Sequence, residues 1–92
     1  MSVVAGALEE KQRWFLQAAH EVALNGGGPT SRVHGARVAQ KLGLDTVENE
    51  DHAVEFTGMA RYLHDADYIT DWTVSEGSFR LTPKGIEEAE GP

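Results

Sequence analysis

Apolar residues recur with a helical period over most of the chain and with a strand period over one short stretch near its end. From Ala7 to Leu24, Leu8, Phe15, Ala18, Ala19 and Val22 fall on one stripe, which predicts an amphipathic first helix. Glu9 and Glu10 sit in its first turn, where a carboxylate suits the positive end of the helix dipole. The run Asn25-Gly26-Gly27-Gly28-Pro29 stops it. A second, shorter helix is expected from Ser31 to Leu42. Thr30 or Ser31 would be its N-cap, Val38, Ala39 and Leu42 its apolar face (with Val33 or Ala36 completing it), and Gly43 its C′ residue.

Asp45-Thr46-Val47-Glu48 has the spacing of a capping box, so a third helix is predicted from about Thr46 to Asp65. Phe56, Met59, Ala60 and Leu63 form its stripe, and Val47 with Ala53 or Val54 extends that stripe backwards. After Asp67 the period becomes that of a strand. Tyr68 to Val74 is rich in β-branched and aromatic residues, Ser75-Glu76-Gly77 is a turn, and Ser78 to Thr82 returns, which predicts a β-hairpin. Thr82 as N-cap and Pro83 at the first helical position open a short last helix.

Three helices, a hairpin and a short C-terminal helix must share one small core, because a lone hairpin is marginal in water. The expected core is Leu8, Phe15, Ala19, Val22, Val38, Leu42, Phe56, Met59, Leu63, Ile69, Trp72, Phe79, Leu81 and Ile86. The fold class expected is mainly α with a β-hairpin, in a single domain spanning residues 1–92.

The second half carries a family likeness. Leu63-His64-Asp65-Ala66-Asp67-Tyr68-Ile69, a hairpin, and then Phe79-Arg80-Leu81-Thr82-Pro83-Lys84-Gly85-Ile86-Glu87 resembles the small prokaryotic winged helix-turn-helix proteins of the MarR/PadR-like kind. These carry a leucine near the end of the third helix, a Gly-Tyr-Ile-like lead into the wing, and a Leu-Thr-Pro-Lys-Gly-like junction from strand to helix. The likeness spans roughly Ser31 to Glu90. It implies a three-helix core with a two-stranded wing, and a DNA-binding transcriptional regulator whose third helix enters the major groove while the wing tip touches the backbone or minor groove. Carried onto this chain, the outward face near the start of the third helix would be Asn49, Glu50, His52, Ala53 and Thr57, and the wing tip Ser75, Glu76, Gly77 and Ser78.

Charge complicates that implication. The chain holds 8 basic and 15 acidic residues, a formal net charge of -7. Residues 29–44 hold Arg32, Arg37 and Lys41 and no acid. Residues 45–76 hold Asp45, Glu48, Glu50, Asp51, Glu55, Asp65, Asp67, Asp71 and Glu76 against Arg61 alone. Affinity for the DNA backbone comes from Lys and Arg releasing counterions, so the implied reading helix is the region least suited to it. If DNA binds, Arg32, Arg37, Lys41 and Arg80 are expected to carry the phosphate contacts. The alternative is a protein-interaction module whose acidic third helix meets a basic partner.

Chemistry is not expected. With no cysteine there is no disulfide, thiolate zinc site or cysteine nucleophile. His20, His34, His52 and His64 are not paired with one another at helical spacing, so neither a metal nor another cofactor is expected. The three glycines after the first helix lack the Lys-Ser/Thr ending of a phosphate loop, and the Asp65-Asp67-Asp71 spacing lacks the glycine and glutamate of a calcium loop. The N-terminus lacks a basic region before its apolar stretch, which leads us to expect a cytoplasmic protein without a membrane partner. Trp14, beside Phe15, is expected at the edge of the core. Together with Val3, Val4 and Leu8 it could form a homodimer surface on the first helix.

Overall fold

In the computed structural model, which describes residues 8–73 and 77–91, α1 runs Glu10–Asn25 and begins where the Glu9 backbone N–H donates to Gln12 Oε1 at 2.9 Å. It buries Phe15, Leu16, Ala19, Val22 and Ala23. The chain then gives β1 (Val33–His34), α2 (Gly35–Lys41), α3 (Glu50–Asp65), β2 (Ile69–Thr73), β3 (Ser78–Leu81) and α4 (Pro83–Glu90). The strands form one antiparallel sheet in the order β1-β3-β2. The molecule is therefore a mixed α and β fold, with four helices and a three-stranded sheet among the described residues.

Phe15 is fully buried and ties the layers together. Its ring lies 5.6 Å from Phe79 on the sheet and 5.1 Å from Phe56 on α3. Around it pack Leu16, Val33, Val38, Leu63 and Ile69, all essentially inaccessible to solvent. Aromatic pairs at such separations contribute about 0.5–1.5 kcal/mol beyond the area they bury. Of the expected core, Leu42, Phe56, Met59, Trp72 and Ile86 line its edge rather than its centre. Leu16, Ala23 and Tyr68 are buried members that the stripes did not indicate.

The two-stranded expectation is corrected by β1. Val33 pairs with Phe79 and His34 with Ser78, so the segment expected to open the second helix is extended instead. Helix α2 starts only at Gly35, with His34 rather than Thr30 or Ser31 at the N-cap. The reason lies at Gly35. Its N–H donates to the Gly77 carbonyl at 2.7 Å, and a Cβ there would stand 2.5 Å from the same oxygen. Two extended residues and a close backbone approach tie α2 to the hairpin, and this tertiary contact outweighs local helix preference.

The start of the third helix is also corrected. Asp45 Oδ1 accepts from the N–H groups of Val47 and Glu48, which makes a separate turn. The Asp45 N–H, which a capping box would give to Glu48, goes to His52 Nδ1 at 3.0 Å. Asn49 is the true N-cap and accepts from the His52 N–H. Val47, expected on the buried stripe, is 89% exposed in consequence, and Val54 is 67% exposed.

Helix ends follow the chain's own punctuation. Gly43 takes φ 76 at the C′ position of α2, where the Leu44 N–H reaches back to the Ala39 carbonyl. At the end of α3 the same geometry is held by Asp67 at φ 71, with Tyr68 N–H donating to Leu63 O at 2.8 Å. Aspartate tolerates this left-handed conformation better than most residues. Thr82 caps α4 by accepting from the Gly85 N–H, while its own hydroxyl donates to the Asp67 carbonyl at 2.6 Å. Asp71, at φ 56, marks the shift in register between Thr70 and Thr73, so strict alternation fails in β2.

Candidate nucleic-acid interface

The basic residues that are close in sequence converge in space. Arg32 and His34 from the β1 segment and Arg37, Gln40 and Lys41 from α2 line a depression of about 660 Å³ against the end of α1. No carboxylate lines it among the described residues. Arg32 Nη1 donates to Ser78 Oγ at 2.9 Å and to the Asp71 carbonyl at 3.2 Å. The guanidinium is thereby fixed across the outer face of the sheet. Arg80, exposed on β3, stands 3.8 Å from the Asp71 carboxylate, so Arg32 and Arg80 meet at one residue. The structure thus groups Arg32, Arg37 and Lys41 and sets Arg80 beside them.

Their availability differs. Lys41 Nζ pairs with Glu21 at 2.5 Å, and that hydrogen bond and charge hold the exposed Glu21 carboxyl below the usual carboxylate range. Arg80 shares Asp71. Arg37 has neither an ion pair nor a hydrogen bond from its side chain among the described residues. It is exposed and, among the described residues, has no bond to give up on meeting an anion.

The expected α3 residues are placed elsewhere. Asn49 Oδ1 and His52 Nδ1 accept backbone N–H groups in the turn that starts the helix, which leaves Asn49 Nδ2 and His52 Nε2 without a partner among the described residues. Thr57 is exposed and lines a different, apolar depression of about 460 Å³ with Ala36, Phe56 and Trp72. Glu50 and Asp51 occupy the exposed first turn of α3. Of the expected hairpin tip, Ser75 and Glu76 lie outside the described residues. Ser78 is buried and receives Arg32, so it is not a surface contact.

His34 was missed as a member of the basic site because its segment reads as a helix start, whereas in β1 it faces outward beside Ser78. Its signal in the sequence is only its place within the acid-free stretch. The remaining histidines do not gather: among the described residues no three His, Asp or Glu side chains stand within reach of one metal ion. No described helix is long and apolar enough to cross a membrane. Leu8, just before α1, is buried in the core and leaves the suggested dimer surface, Trp14 on α1 is 49% exposed, and Val3 and Val4 lie outside the described residues. Compared with known proteins, the chain matches no protein family, no curated protein and no solved structure.

Proposed function

We propose that the chain is a small winged helix-turn-helix protein of MarR/PadR-like character that holds double-stranded DNA by its backbone and acts in transcriptional regulation. The order α1, β1, α2, α3, β2, β3 supports the winged-helix reading, with β3 between the other two strands. The observation that carries the functional reading is the convergence of Arg32, Arg37 and Lys41 on one depression, next to Arg80, in an otherwise acidic chain. Phosphate contacts orient a protein on DNA and supply its sequence-independent affinity. Here they would come from α2 and the outer face of the sheet, with Arg37 the dominant contact and Thr57, Asn49 Nδ2 and His52 Nε2 left for base edges.

Titration of random-sequence duplex DNA at low salt, read by fluorescence anisotropy, tests the reading. Weak association is expected. Replacing Arg37 and Lys41 by alanine should lower affinity for every sequence and reduce the slope of log K against log salt by about 1 per lost contact. No association at low salt, or a slope unchanged in the double variant, refutes it.

A second reading has its own observation. Val47 and Val54 are largely exposed beside Glu48, Glu50 and Asp51, whose carboxylates have no ion-pair partner among the described residues. Exposed apolar side chains framed by one sign of charge suit a basic, amphipathic protein partner. Under this reading the protein is an interaction module, and duplex DNA gives no signal.

A further inference from the structure

We propose that the depression between the end of α1, β1 and α2 is a binding site for a nucleoside monophosphate. Its size is the first argument. About 660 Å³ is far more than one phosphate group fills and lies within the range of about 300–1,000 Å³ typical of small-molecule sites. Its lining is the second. Arg32, Arg37 and Lys41 bring positive charge, His34 a ring, and Asn25 and Gln40 two carboxamides, each offering a donor and an acceptor side by side. Carboxamides of this kind recognise the edge of a purine base, and guanidinium groups recognise phosphate in a planar, bidentate fashion.

The walls also orient such a ligand. The end of α1 presents the negative pole of the helix, with the Val22 and Ala23 carbonyls turned toward Gly26 N–H, and Lys41 is already engaged by Glu21. An anion is therefore disfavoured on the α1 side and favoured toward Arg32 and Arg37. Arg32 is held in place by Ser78 Oγ and the Asp71 carbonyl through Nη1. Its other N–H donors have no partner among the described residues, so it is ready to bind without reordering. The uncharged base then falls on the α1 side, over Val22 and against Asn25 and Gln40. The inference uses the same cations as the DNA reading but does not depend on it, since a free nucleotide and a duplex backbone bring the same phosphoryl chemistry.

Calorimetric titration of the full chain with AMP, with inorganic phosphate and with a random duplex separates the possibilities. AMP is expected to bind more tightly than inorganic phosphate. Arg37→Ala should weaken AMP by about tenfold or more, the usual effect of losing a charge-assisted hydrogen bond. Gln40→Ala should weaken AMP and leave phosphate unchanged, and Arg61→Ala, which removes an exposed cation on α3 outside the depression, should change neither. Circular dichroism checks that each variant stays folded. AMP binding no tighter than phosphate, or weakened equally by Arg61→Ala and Arg37→Ala, overturns the site. Duplex binding without AMP binding overturns the nucleotide site and leaves the DNA reading standing. AMP binding without duplex binding does the reverse, and displacement of duplex by AMP supports both.

Discussion

The basic depression and the start of α3 are both built from polar residues, yet they use them in opposite ways. Around the depression the backbone is already satisfied by β1 and by the ends of α1 and α2, so side chains such as Arg37 are left for solvent or ligand. At the start of α3 the backbone claims one acceptor atom from each polar side chain: Asp45 Oδ1, Asn49 Oδ1 and His52 Nδ1 accept backbone N–H groups to make a turn and a cap. What remains there is one nitrogen each on Asn49 and His52, two exposed valines, and the carboxylates of Glu48, Glu50 and Asp51, which have no ion-pair partner among the described residues. A polar residue is available for recognition only when the local backbone does not need it, and sequence position alone does not reveal which case holds.

The largest expected effect removes what both regions share. Phe15→Ala should destabilise the fold by about 3–5 kcal/mol and abolish the two faces together in a single unfolding transition. Survival of either face in the folded baseline would show that it stands on its own packing. Gly35→Ala acts on one region. A Cβ 2.5 Å from the Gly77 carbonyl and 3.2 Å from Phe56 forces β1 and the hairpin apart, with an expected cost of about 1–3 kcal/mol in chemical denaturation and a loosened basic depression. Reversing the other region sharpens the contrast further. Glu50→Lys with Asp51→Lys should raise duplex affinity by several-fold at low salt under the DNA reading, with the gain vanishing at high salt. Under the protein-partner reading the same variant loses its partner and gains no specific function.

The smallest expected effects are in pH. Hydrogen bonding and attraction from Lys11 and Lys41 hold the carboxyls of Glu55 and Glu21 below the ordinary range. Their stabilisation is present at neutral pH and is lost as pH falls through the lowered values, since the unfolded chain then takes up protons first. Burial, aided by the nearby Glu88 carboxylate, pushes the Tyr68 phenol up from 10.0, so stability also declines as pH rises above that value. Thermal midpoints measured against pH should show both shoulders. Glu21→Gln should flatten only the acidic one.

Much of the architecture was legible in the chain. The glycine-proline stop after α1, Gly43 after α2, and Thr82-Pro83 before α4 each carry a local mechanism, and each ends or begins an element where expected. The hairpin declared itself by its change of period. What escaped was set by tertiary contact. Val33 and His34 become a strand only because β3 lies beside them, and two residues are too few for a period to register. The start of α3 escaped because two capping signals compete, and a histidine ring seven residues on from Asp45 decides between them. For the site, Arg32, Arg37 and Lys41 were grouped by their acid-free stretch of chain, whereas the pinning of Arg32 by Ser78, the pairing of Lys41 with Glu21 and the outward turn of His34 required the fold.

The two outer strands of the sheet carry one more consequence. β1 spans only Val33–His34, and β2 is broken in register at Asp71, whose backbone turns left-handed. Neither margin offers the long, flat ladder of unpaired amides that another chain would need to add itself on. Crowding the protein to high concentration should therefore leave it free of fibrils, and any self-association it shows will proceed through side chains and not by extension of the ribbon.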